Sequence, residues 1–301
     1  MNTKGFMYAL LAYLAWGFLP LYWKALDAVP AWEILGHRMV WSLVFLLGIL
    51  LVSRRFGEYR QMVRNKRTAR YLGLASLLIS TNWLVFIWAV NNGHMVETSL
   101  GYYMNPLLNV LLGVLFLKER LHAGQWAAIA LAFTGVAVVT IEHGRLPWIS
   151  LVLAGSFAVY GLIKKKANVD ATLGLAWETT FVAPVAAIYL LYTQFTGQAG
   201  TGSLDTWHWI LLLLAGAATV MPLFWFAKAA GTLSLSTIGF IQYVAPTITL
   251  ILGVAVYHET FDTARWISFG LIWAALVVYT WSSLRAAAKA SRTRAETCEA
   301  A

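Results

Sequence analysis

The sequence predicts an all-α membrane protein in which ten transmembrane helices form two inverted five-helix repeats. Three observations predict it. First, the 301 residues are 60% hydrophobic and 12% charged, with a mean hydropathy of +0.67, whereas a soluble chain carries about 25% charged residues. Second, the apolar runs are long enough for a bilayer, which takes about 20 residues per helix. These runs are continuous rather than alternating, which excludes a β-barrel. Third, one stretch occurs twice. Gly101 to Glu119 returns as Ile241 to Glu259 after a shift of 140 residues. Under that shift Tyr103 falls on Tyr243, Pro106 on Pro246, Leu112-Gly113-Val114 on Leu252-Gly253-Val254, Glu119 on Glu259 and Trp126 on Trp266.

Taken in order, the predicted spans are 4–23, 33–53, 71–91, 97–117, 124–142, 147–163, 171–193, 207–228, 234–257 and 264–284. The first could mimic a signal peptide, with Lys4 ahead of an apolar run. Trp16, Pro20 and the lack of a small-x-small cleavage site favour a retained span. Connections are short except 54–70 and 194–206. Residues 1–143 form the first repeat and 144–285 the second, and 286–301 form a cytoplasmic tail expected to fray. Gly113 and Gly253 are expected to let helices approach closely.

Lysine and arginine set the orientation. With the N-terminus inside, the cytoplasmic face holds Lys4, the seven basic residues of 54–70, Lys118, Arg120, Lys164 to Lys166, Lys228, Arg285, Lys289, Arg292 and Arg294. Only Lys24, Arg38, Arg145 and Arg265 remain for the outside. Both termini are therefore expected in the cytoplasm. Five spans per half is an odd number, so the second half enters the bilayer upside down. The loops agree, since 194–206 corresponds to the basic 54–70 loop but carries no basic residue. Inverted repeats are a recurring transporter architecture, with the solute site where the halves meet near the midplane. The net charge of +9 could suit nucleic acid, but its placement between apolar segments points to topology instead. The single cysteine, Cys298, permits no intrachain disulfide.

Several residues could carry chemistry. A proline leaves the carbonyl four residues earlier without its helical partner, so Pro106 frees Tyr102 and Pro246 frees Gln242. Each is either a packed kink or a hinge beside a cavity. Glu178 is the acid placed well inside a span, about seven residues or ~10 Å from its inner end. An intramembrane acid is by default functional. Three roles stay open for it: proton coupling, substrate contact or a permanent structural pair. Arg38 is its mate under the 140-residue shift. It lies near the opposite face, about 12 Å away along the membrane normal, which argues against a direct bridge. It either snorkels outward or contacts an anionic substrate. Lys164-Lys165-Lys166 reads as a topology anchor. Trp16, Asn82, Trp83, Tyr102, Tyr103, Tyr160, Gln242 and Tyr243 sit deep, as helix packing or as the wall of a cavity for an aromatic or amphipathic solute, and Asn105 is a polar group close to the Pro106 break. No His-Glu-x-x-His, Gly-x-Ser-x-Gly, Walker loop or Cys/His metal spacing is present. The expectation is a non-enzyme without cofactor or metal, with the proton as candidate coupling ion. A non-transporting interaction protein and a lipid-modifying enzyme stay open as alternatives.

The chain resembles the EamA branch of the drug/metabolite transporter superfamily, and within it the RarD subfamily of bacterial inner-membrane permeases. The resemblance rests on Trp16-Gly17, Glu33-Ile-Leu-Gly-His37-Arg38, Asn82-Trp83, Phe86-Ile-Trp-Ala-Val-Asn-Asn92, Ser99-Leu-Gly-Tyr-Tyr-Met-Asn-Pro106 and Glu119-Arg120. The second half adds Tyr160-Gly161, Trp177-Glu178-Thr179 and Leu235-Ser236-Thr237-Ile-Gly-Phe-Ile-Gln242-Tyr243. It covers nearly the whole chain except the tail. It implies secondary transport of a small metabolite or drug-like solute, with an association to chloramphenicol sensitivity.

Overall fold

Long apolar runs without backbone partners elsewhere must satisfy their own N–H and C=O groups, and helices do so within one segment. The computed structural model accordingly consists of helices and short connections. It describes all residues except 1–2, 63, 118–122, 168, 231, 234–237, 239–240 and 300–301. Lys118, Glu119 and Arg120, and the Leu235-Ser236-Thr237 stretch, lie outside the described residues. The helices are α1 (Thr3–Lys24), α2 (Ala31–Val52), α3 (Phe56–Met62), α4 (Lys66–Asn91), α5 (Met95–Leu117) and α6 (Ala123–His143). They continue as α7 (Trp148–Ala167), α8 (Ala171–Phe195), α9 (Thr206–Ala230), α10 (Val244–Ile251) and α11 (Thr263–Glu299).

Seven of these helices, namely α1, α2, α4, α6, α8, α9 and α11, are long and apolar enough to cross a membrane. The apolar parts of α7 and of α10 with the π-turn Leu252–Val256 that continues it are shorter. Large apolar side chains cover the outside: Phe195 is 86% exposed and Ile141 81%. A surface of that kind belongs against lipid.

Three expectations need correction. The tail after Leu284 is helical in the described residues rather than irregular, because α11 runs unbroken to Glu299; alanine, lysine and arginine are strong helix formers. The 54–70 connection is largely helical, formed by α3 and an α4 that starts at Lys66, where Asn65 caps the N–H groups of Arg67 and Thr68. The ninth segment is not one helix over 234–257. Gln242 and Tyr243 form a turn, and α10 begins at Val244. Pro246 thus stands in a first turn, where a missing N–H removes no helical bond, whereas Pro106 lies inside the continuous α5.

Packing pairs the helices across the chain. α6 packs on α11, α2 on α8, and α5 on α10. Next, α7 lies against α4 and α5, α1 against α9 and α10, and α2 and α4 reach α9 and α8 respectively. Exchanging α1, α2, α4, α5 and α6 with α7, α8, α9, α10 and α11, in that order, maps this set of pairs onto itself. Two contacts tighten it. Gly253 sits where an added Cβ would lie 3.1 Å from the Met95 Cβ. Beside it, the Glu259 carboxylate accepts the first N–H groups of α5, from Met95 at 2.6 Å and Val96 at 2.9 Å.

Candidate substrate cavity

A cavity of about 860 Å³ opens between the helices of the two halves. Its wall is mostly aromatic and aliphatic, including Tyr13, Trp16, Trp83, Phe86, Tyr102 and Phe157. Eight further residues predicted from sequence also line it: Arg38, Asn82, Asn105, Pro106, Tyr160, Gln242, Tyr243 and Pro246. The size and apolar character suit a small organic molecule.

Arg38 is brought to the wall by a close helix crossing. Gly216 on α9 meets α2 so tightly that an added Cβ would lie 2.4 Å from the Trp41 carbonyl carbon. One turn along each helix, Arg38 Nε donates to Thr219 Oγ1 at 2.8 Å. The Thr219 hydroxyl in turn donates to the Ala215 carbonyl. The guanidinium carbon stacks 3.8 Å above the Trp83 ring and 5.0 Å from Trp23. Arg38 is only 4% exposed, so it does not snorkel to water. Its Nη1 has no hydrogen-bond partner among the described residues.

Glu178 lies behind the wall rather than on it, 2% exposed. Lys164 Nζ donates to one carboxylate oxygen at 2.7 Å, and the Tyr160 hydroxyl donates to the other at 3.0 Å. The Ser76 hydroxyl ties the Glu178 carbonyl to α4 at 2.7 Å. Tyr160 and Lys164 are four residues apart and so share one face of α7; both also line the cavity. Lys164 is therefore more than a topology anchor. It is the cation that compensates the buried acid. Arg38 and Glu178 keep separate partners.

The remaining predicted residues divide into cavity and packing. Asn82 donates to the Leu153 carbonyl at 2.9 Å and to Ser156 Oγ at 3.0 Å, and it accepts from the Tyr102 hydroxyl at 3.2 Å. It holds α4, α5 and α7 together at the wall. Asn105 presents a buried Oδ1 with no partner among the described residues. Trp16 packs edge-on to Tyr13 and against Phe226. Tyr103 turns away from the cavity. Its hydroxyl meets Thr247 Oγ1 at 2.5 Å, and its ring packs on Phe269 and Trp273 of α11. Sequence reasoning did not single out Thr219 or Gly216. It gave Lys164 another role, although the four-residue spacing from Tyr160 was a usable signal.

The geometry defines a multi-pass helical membrane protein with a solute-sized cavity between two sets of helices. The chain belongs to the EamA-like transporter family, which matches it over residues 3–141 and again over 146–281. It falls in the RarD branch. Protein RarD of Streptomyces exfoliatus is 47% identical over 98% of this chain and 93% of its own. Protein RarD of Escherichia coli (strain K12) is 41% identical over 94% of this chain and 96% of its own. A crystal structure with 19% sequence identity shares the fold at a TM-score of 0.58, covering 93% of this chain and 99% of the other.

Proposed function

We propose that this protein is a secondary transporter that carries a small organic solute across the bacterial inner membrane. Its two halves, 1–143 and 144–285, act as inverted five-helix repeats that expose the cavity alternately to either side. The single observation that carries this reading is the cavity itself, whose wall takes Arg38, Asn82 and Pro106 from one half and Tyr160, Gln242 and Pro246 from the other. The packing pairs support it, because exchanging the halves preserves them. Five long segments per half would reverse the insertion of the second, and the distribution of basic residues supports a topology with both termini in the cytoplasm.

In this reading Pro106 and Pro246 are the points about which α5 and the start of α10 bend. Glu178 couples protons. A solute bound against Tyr160 or Lys164 competes for the bonds that the Glu178 carboxylate accepts, so loading of the solute favours binding of a proton at Glu178.

The test is transport in proteoliposomes of the purified chain, with chloramphenicol among the solutes offered. Saturable counterflow supports the reading. A purified protein that moves no solute yet retains a stable partner would instead favour an interaction protein. For coupling, Glu178→Gln fixes the neutral state. It is expected to abolish gradient-driven accumulation while exchange continues, and unchanged accumulation would remove Glu178 from the coupling step.

A further inference from the structure

The charge on the cavity wall narrows the solute class. Two cationic side chains, Arg38 and Lys164, line the cavity, and among the described residues no aspartate or glutamate does. The charge of Lys164 is compensated by Glu178 behind it. That of Arg38 is not: among the described residues it has no ion pair, and its one side-chain partner is the neutral hydroxyl of Thr219. The wall therefore carries one uncompensated positive charge, on a side chain that is 4% exposed and held between the Trp83 and Trp23 rings. A buried charge without a counter-ion is unfavourable in an apolar interior. An arginine with a free edge is built to take a planar carboxylate.

We infer that the solute is an amphipathic organic monoanion whose carboxylate neutralises Arg38 and whose aromatic or aliphatic body fills the cavity. The assignment rests on the transport reading above and adds the chemistry of the cargo. One uncompensated cation matches one negative charge, which favours a carboxylate over a phosphate dianion. Nη1 is buried in this conformation, so the anion engages the guanidinium after a rotation between the two indoles. The unpartnered Asn105 Oδ1 gives the same cavity an acceptor for an N–H or O–H on the solute body.

The test uses matched probes on the purified full chain. Benzoate, indole-3-acetate and 4-hydroxyphenylacetate are compared with their neutral amides by thermal stabilisation and by counterflow in proteoliposomes. At least one carboxylate is expected to bind tenfold or more tightly than its amide. Arg38→Met is expected to abolish that preference, while Arg38→Lys keeps part of it. Should Arg38→Met fail to fold, Arg38→Lys decides: a preference undiminished in it counts against the assignment. Amides that bind as well as the acids would overturn the proposal, and so would a panel in which no carboxylate binds, since water alone then satisfies Arg38. The two readings fail separately. A carboxylate that binds at Arg38 but never crosses the membrane leaves the anion site standing and removes transport. Counterflow of neutral or cationic solutes only would do the reverse.

Discussion

Arg38 and Glu178 occupy corresponding positions in the two halves, 140 residues apart, yet their surroundings differ in kind. Glu178 is closed in by Lys164, Tyr160 and the Ser76 tie. Arg38 has a single threonine partner and two aromatic faces, and it stands on the cavity wall. Both are buried charges, and burial alone would have given them the same reading. The difference lies in whether the protein supplies the counter-charge. Where it does, the residue belongs to the internal machinery. Where it does not, the compensating group must come from outside the chain.

The largest effect that sharpens this contrast is expected from Lys164→Met, which strands the Glu178 carboxylate. Breaking a buried ion pair from one side costs about 3–5 kcal/mol. Because Lys164 is 20% exposed, about 2–3 kcal/mol is expected here. The double variant with Glu178→Gln should recover most of that loss. Denaturation in detergent measures both, and a Lys164→Met protein as stable as the parent would show that the pair does not hold the fold.

Gly216→Ala should come next, at about 1–3 kcal/mol, since its methyl would press on the Trp41 backbone and shift α9 against α2. The shift should also pull Thr219 off Arg38. Carboxylate affinity should therefore fall with stability, and loss of one without the other would separate the crossing from the site. Arg38→Met should change stability by about 1 kcal/mol or less, because it removes a charge that the fold leaves uncompensated. A loss as large as that of Lys164→Met would make Arg38 structural and break the comparison.

The smallest effect serves as a reference outside both sites. Burial, the largest single cause, raises the Asp262 carboxyl, but the Arg265 backbone N–H, the His143 ring and the charges of both residues together outweigh it and hold Asp262 below the usual aspartate range. A depressed carboxyl stabilises the fold above its unfolded pKa, near 3.9, and that stability is lost as pH falls through the lower folded value. Asp262 is 42% exposed, so the contribution should stay under about 1 kcal/mol. Unfolding of Asp262→Asn at pH 6 and pH 3 measures it, with the difference from the parent expected to shrink at the lower pH.

Much of this was legible before any coordinates. Charges inside apolar runs announce themselves, so Arg38 and Glu178 stood out, and so did the repeat around Pro106 and Pro246. Partners were harder to read. Lys164 begins a lysine run at a helix end, which is what a topology signal looks like, and only the fold brings α8 against it. Tyr102 and Tyr103 are adjacent and equally deep in sequence. A step of one residue turns a helix by about 100°, so one faces the cavity and the other α11. The Arg38–Thr219 bond joins residues far apart in the chain through a crossing at Gly216, and no local pattern encodes that meeting. The break before α10 was half legible: the proline marked it, but an interior kink and a helix start look alike in sequence.

The central claim is that a solute enters the cavity, meets Arg38 and crosses the membrane. The most direct measurement is counterflow in proteoliposomes of the carboxylate that stabilises the protein most, run in parallel for the parent chain and Arg38→Met. The account predicts saturable uptake in the parent, accelerated by unlabelled solute inside, and uptake at the protein-free rate in a folded Arg38→Met protein. Equal uptake by the two proteins, or none by either, would contradict it.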